Sequence, residues 1–122
     1  MRRIAARLSP RDDRGSAAVE LVGYVTMVVL AGMLCLQGVY VSQAGAVAQQ
    51  AARDGARAQA LGQDVVGAAR AQVPSWARLQ DVRARTVGGA FVVEVDVRVP
   101  IVVRGVTSSE IVVSRDATMP RS

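Results

Sequence analysis

Histidine and lysine are absent from the sequence, and cysteine occurs once, at Cys35. The missing histidine removes imidazole acid–base catalysis and the commonest metal ligand. A single cysteine excludes an intrachain disulfide. Cys35 lies inside an apolar run, where it reads as a small apolar side chain facing lipid or another helix. Aromatics make up 3% of the chain, with one Phe, one Trp and two Tyr. A nucleic-acid surface of aromatics interleaved with basic residues therefore has no material. No nucleophile motif and no phosphate loop occurs. Glu94 and Asp96 alternate with valines along a strand, which marks a solvated face before it marks an acid–base pair. No clustered carboxylate spacing suits a metal. Enzyme activity, a cofactor, a small-molecule substrate and nucleic-acid binding are not expected.

What is present is positive charge at the front and a long apolar stretch behind it. Residues 1–15 carry Arg2, Arg3, Arg7, Arg11 and Arg14 against Asp12 and Asp13, a net +3 of the chain's +5. They read as a polar leader, with Ser9-Pro10 interrupting any helix there. From Leu21 to Val41 there is no charged residue, and the first after Glu20 is Arg53. A helix needs roughly 20 apolar residues to cross a hydrocarbon core. The basic leader then places the N-terminus in the cytoplasm and the C-terminal part outside a single-pass membrane helix. Leu21, Tyr24, Leu30, Leu36 and Tyr40 mark that span, and the lipid bilayer is its first partner.

Glu20 stands at the mouth of this span. A carboxylate costs about 2.5–3.5 kcal/mol at mid-bilayer and less toward the edge. On position alone, Glu20 is either a wet, snorkelling interfacial residue or one half of a pair. Cutting after Gly15 would free the α-amine of Ser16 and make Glu20 the fifth residue of the mature chain. Arg14-Gly15-Ser16-Ala17-Ala18-Val19-Glu20 resembles the type IV prepilin arrangement of basic leader, glycine, cleavage point and glutamate. That resemblance implies a prepilin peptidase as partner, reading Gly15 and Ser16. It also implies that Glu20 neutralises the terminal amine of a neighbouring pilin-like subunit. An amine and a carboxylate attract strongly where the dielectric is low.

Beyond Gln37 the chain turns rich in Ala, Gln and Ser. Ala44, Val47, Ala48, Ala51, Gly55 and Ala58 recur at spacings of three and four, one stripe of a helix. Asp54 and Arg57 are placed to pair along it. A helix from Ser16, its expected N-cap, to Ala60 would be about 67 Å long. Ala51-Ala52-Arg53-Asp54-Gly55-Ala56-Arg57-Ala58 resembles the segment after the membrane helix in TadE-like proteins, pilin-like (pseudopilin) components of bacterial Tad (tight adherence) pilus systems. The start of the chain is similar to theirs as well. This chain has Leu21, Thr26 and Gln37 where the family often has an aromatic, a proline and an acidic residue.

Leu61-Gly62-Gln63-Asp64 reads as a break, with Asp64 capping a short helix from Val65 to about Gln72; a straight run through Gly62 is the competing reading. Pro74 ends that helix, and Trp76 is the expected plug at the helix–sheet junction. Strand periodicity follows. Asp81–Val87 and Phe91–Val99 alternate on either side of Gly88-Gly89, a two-residue hairpin signal. A turn there sets Thr86 against Phe91, Ala84 against Val93, Val82 against Val95 and Arg83 against Glu94. Apolar faces then match and the outer charges are opposite, so a one-residue slip is penalised on both faces. Pro100 suits an edge or bulge, with Ile101–Val103 a continuation of the strand. Residues 105–109 read as a loop and Glu110–Arg115 as a third strand.

The expected fold class is α+β: a long N-terminal transmembrane and amphipathic helix, a short helix, and a small antiparallel three-stranded sheet. Its expected divisions are the leader 1–15, the membrane helix 16–41, a helical extension 42–73, a β-meander 74–117 and a flexible tail 118–122. The expected function is that of a membrane-anchored, pilin-like structural protein. The alternatives are a secreted binding domain cut after Ala44-Gly45-Ala46, or an uncleaved signal anchor. The apolar segment exceeds the usual 7–15 residue signal core, and a secreted domain leaves Glu20 unexplained.

Overall fold

The computed structural model describes residues 11–101 and 110–121. The leader before Arg11, residues 102–103 of the expected strand continuation, the loop 105–109 and Ser122 lie outside the described residues. The chain divides into two compact units, Met1–Met33 and Leu34–Ser122. The elements are α1 (Arg11–Ala60), α2 (Val65–Ala71), β1 (Arg78–Val87), β2 (Ala90–Val99) and β3 (Ile111–Pro120), an α+β arrangement with strand order β1-β2-β3.

α1 begins at Arg11, before the expected start at Ser16, so Ser16 is an interior helical residue and not an N-cap. A single glycine costs a helix about 1 kcal/mol. Gly15 therefore cannot halt a helix that the following apolar residues propagate. At the other end the chain does break. Gly62 adopts φ +67°, its N–H donates to the Gln59 carbonyl, and the Gln63 N–H donates to the Ala58 carbonyl at 2.8 Å. This pair of bonds is a Schellman closure, which requires the left-handed backbone that glycine adopts freely. Asp64 then accepts from the Val66 N–H and caps α2.

In the second unit the small-residue stripe of α1 covers the sheet. Ala44, Ala48, Ala51, Ala52 and Ala56 are buried with Val93, Val95, Val97, Val99 and Val113 in one core. Fully burying a valine stabilises by about 1.5 kcal/mol or more, and Val93, Val95 and Val97 have no exposed surface. α1 runs antiparallel to β2: Gln37 Nε2 donates to the Pro100 carbonyl at 3.2 Å, while Gly55 lies beside Val93. Asp54 is engaged by Gln50, whose Nε2 lies 3.3 Å from Oδ2. The expected Asp54–Arg57 pair does not form, and Arg57 is exposed.

The β1–β2 register coincides with the one read from the alternation: Thr86 opposes Phe91, Ala84 opposes Val93, Val82 opposes Val95 and Arg83 opposes Glu94. Beyond Val82 the register shifts between Leu79 and Asp81. The shift lets Leu79 and Val82, three apart, both reach the core. Ala84 and Thr86 were expected under cover but are exposed. The cause is the brevity of α2, which spans seven residues and meets β1 beside its start.

β3 is longer than expected. It runs to Pro120, and Thr118 and Met119 pair with Val92 and Phe91. The tail from residue 118 is therefore a strand and not a loose end. Arg115 hides this alternation in the sequence, because it stands on the inner face among Ile111, Val113, Ala117 and Met119. The β3 edge leaves Arg115 exposed even at this register position. Ile101 lies beyond β2 and is not in a strand.

Gly88 and Gly89 take φ +57° and +80°, the pair of positive values that a type I′ hairpin turn requires. Gly88→Ala is expected to destabilise the outer unit by about 1 kcal/mol and Gly88→Asn by less. Urea unfolding of the two variants checks this ordering.

Candidate functional site: the N-terminal helical segment

Gly15, Ser16 and Glu20 are carried on one continuous helix. Glu20 shares a face with Ala17 and Tyr24, its neighbours at three and four residues. These three and Leu21 line an open hollow of about 260 Å³. Tyr24 also borders a second hollow with Met27, Val28 and Ala31. Both are surface depressions along one helix and enclose nothing. Among the described residues no ion pair or hydrogen bond reaches the Glu20 carboxylate. Its environment is apolar and open: Leu21 is 64% exposed, Tyr24 72% and Met27 74%.

An apolar helical surface of this length, exposed along Leu21, Leu30 and Leu36, has no partner among the described residues. It is long and apolar enough to cross a membrane, and no part of its most apolar stretch is buried. Such a surface is unfavourable in water at about 25 cal/mol per Å². Tyr40 behaves differently from the other residues expected in the span. It is half-buried and packs on the core, its ring 5.6 Å from that of Trp76. Cys35 is free and exposed.

The Ala51–Arg57 segment serves packing. Ala51, Ala52 and Ala56 are buried against the sheet, Arg53 and Arg57 point to solvent, and Asp54 is half-buried. Gly55 is the tightest point: a Cβ would stand 3.0 Å from Val93 Cγ1 and 3.4 Å from Val65 Cγ1.

Residues 15–57 match the model of the TadE-like protein family. The matched segment contains both stretches that carry the resemblance, from Gly15 through Glu20 and from Ala51 through Arg57. No curated protein and no solved structure matches the chain. Of the TadE-like segment, Gly15, Ser16 and Glu20 fall in the first unit and Ala51–Arg57 in the second.

One feature beyond the TadE-like segment escaped the periodicity. Arg83 is the hub of the outer sheet face. Its Nε donates to Asp81 at 2.9 Å and its Nη2 to Asp96 at 2.6 Å, while Glu94 stands farther away at 3.8 Å. The hydrogen bonds to Asp81 and then Asp96 raise its pKa further above its already high value. Arg83 stays charged at any biological pH, and its attraction for these carboxylates would be lost only as strong alkali deprotonated it. Asp96 is 8% exposed and depends on this guanidinium. The sequence pointed Arg83 at Glu94; the same register already sets Asp81 opposite Asp96, and the guanidinium is held more closely by these two carboxylates. Arg83→Ala is expected to lower the thermal midpoint clearly. Arg85→Ala, on the same exposed strand without an ion pair among the described residues, is expected to leave it within error.

Proposed function

We propose that this chain is a membrane-anchored, pilin-like subunit of a Tad-type pilus or secretion assembly, activated by a prepilin peptidase cut between Gly15 and Ser16. The observation that carries this reading is a lone carboxylate, Glu20, on an exposed apolar helix, five residues after Gly15. A cut there creates an α-amine at Ser16 on each mature copy. Glu20 of one subunit binds the amine of the next, so two groups that are each penalised in an apolar medium compensate one another. α1 holds the subunit in the cell membrane by a single pass, with the leader cytoplasmic and the sheet unit outside. Gly15 and Ser16 lie within the first two turns of α1, where helices open at little cost. Glycine eases that opening and leaves the peptidase a site without a side chain.

N-terminal sequencing of the native membrane-extracted protein tests the reading, with Ser16 as the expected first residue. A start at Met1 or Arg2 would make it a signal anchor, and a start at Val47 a secreted domain. Gly15→Leu is expected to leave a longer band on a gel, with the processed band reduced by at least about tenfold, the effect of roughly 1.4 kcal/mol on a rate. Unchanged mobility would remove the peptidase from the account.

A further inference from the structure

We infer that the end of the sheet where β1 begins and β2 ends is a binding site for the phosphate of an anionic phospholipid, in the bilayer that α1 spans. This rests on the membrane reading of α1 and adds a second, polar contact with the lipid.

The placement follows from the second unit alone. The uncharged run of α1 ends at Val41, so the outer membrane–water boundary falls around residues 37–41. Gln37 bonds the Pro100 carbonyl and the Tyr40 ring packs, tilted, against Trp76. These two contacts hold the sheet's lower end at the level where the apolar run stops. Tyr and Trp are the residues that favour the headgroup layer. Here the chain's single Trp and one of its two Tyr meet at that level.

Among the described residues the charge there is short of acceptors. Arg78 and Arg98 are directly opposite in the β1–β2 ladder, and like charges in that position repel. Among the described residues one carboxylate compensates them: Glu110 Oε2 lies 2.9 Å from Arg98 Nη2. Arg98 Nε is buried with no hydrogen-bond partner, an expensive omission for a charged donor. Arg78 has no ion pair among the described residues. Trp76, Arg78, Arg98, Val99 and Pro100 line a cleft of about 160 Å³ between these groups. That is smaller than the roughly 300–1,000 Å³ of small-molecule sites. It suits a phosphate with its glycerol left in the bilayer. Two guanidinium groups supply the donors that a phosphate accepts in pairs, while Trp76 and Pro100 provide apolar walls against the glycerol and upper acyl region.

Trp76 is its own reporter. The full chain is reconstituted in zwitterionic vesicles, with and without phosphatidylglycerol, and Trp76 fluorescence is read with lipids brominated near the headgroup. Sodium carbonate extraction is run in parallel. Brominated phosphatidylglycerol is expected to quench Trp76 at several-fold lower mole fraction than brominated phosphatidylcholine. Each arginine beside an anionic surface supplies about a fivefold preference. Arg78→Gln with Arg98→Gln is expected to erase the preference while the far-ultraviolet dichroism is kept. A loss of that dichroism is met by Arg78→Gln alone, which leaves the Arg98–Glu110 pair in place and is expected to lose about fivefold. Quenching by aqueous iodide and not by either lipid would overturn the site. So would equal quenching by the two lipids, or inorganic phosphate reproducing the effect in zwitterionic vesicles. Release of the protein by carbonate would instead overturn the membrane reading itself, and the lipid site with it.

Discussion

Glu20→Ala should insert into the membrane as well as the native chain and fail in assembly by between ten- and a thousandfold. The upper figure is the attraction of two unit charges about 4 Å apart at an effective dielectric near 20, about 4 kcal/mol. The lower figure allows for residual water at the headgroup boundary, where screening weakens exposed pairs. Removing a carboxylate from an apolar helix favours insertion, so a loss of assembly cannot be ascribed to poor membrane entry. Glu20→Gln separates charge from shape: it keeps the side-chain length and should fail nearly as badly as alanine. Glu20→Asp keeps the charge one methylene short and should retain part of the function. The measurement is crosslinking of neighbouring subunits in membranes, with carbonate-resistant protein as the denominator. Native crosslinking by Glu20→Gln would mean that Glu20 is a snorkelling interfacial residue and that another contact joins the subunits.

The two halves of the segment that matches the TadE-like model explain why the family resemblance was easier to read here than local structure. Gly15 and Glu20 announce themselves because each breaks the pattern around it: a glycine closing a basic leader, and a charge opening an apolar run. The small residues from Ala44 to Gly55 were legible as a stripe, since helical periodicity survives even when the side chains are Ala and Gly. Strand register was legible between Val82 and Phe91, where a glycine pair and strict alternation agree. The start of α1 was not. Its limits depend on propagation from residues far along the helix, and neither Gly15 nor Ser16 has the energy to oppose that. The shift at Leu79/Asp81 left a trace that alternation alone ignores: Leu79 and Val82 are both apolar and three apart. The end of β3 was masked by Arg115, a charge at an inward register position that the edge strand leaves exposed. Arg83 is similar: the alternation already sets Asp81 opposite Asp96, but which of the nearby carboxylates the guanidinium takes is decided by side-chain geometry that no periodicity records.

Gly55→Leu is expected to be the most destabilising single substitution in the second unit. A Cβ alone at Gly55 meets Val93 Cγ1 at 3.0 Å and Val65 Cγ1 at 3.4 Å. Val93 sits on the central strand with no exposed surface, bonded on both sides by β1 and β3, so it cannot retreat. Gly55→Ala combines two opposed effects. Alanine favours the helix by about 1 kcal/mol over glycine, while overpacking typically costs about 1–3 kcal/mol; the net loss should be about 1 kcal/mol. Leucine adds three further carbons in the same direction without further helix gain, and a loss of about 3 kcal/mol or more is expected. That is a large share of the roughly 5–15 kcal/mol that holds a domain together. The graded series Gly, Ala, Leu should therefore fall steeply in thermal midpoint, read by circular dichroism of the detergent-solubilised full chain. Val93→Ala supplies the decisive control. Alone it should destabilise by opening a cavity; in the Gly55→Leu background it should restore part of the lost stability, because the two side chains compete for one volume. Simple additivity of the two losses would show that Gly55 is kept for some reason other than the approach of α1 to β2. A rescue would establish that the glycine within Ala51–Arg57 is there to let the helix and the central strand touch.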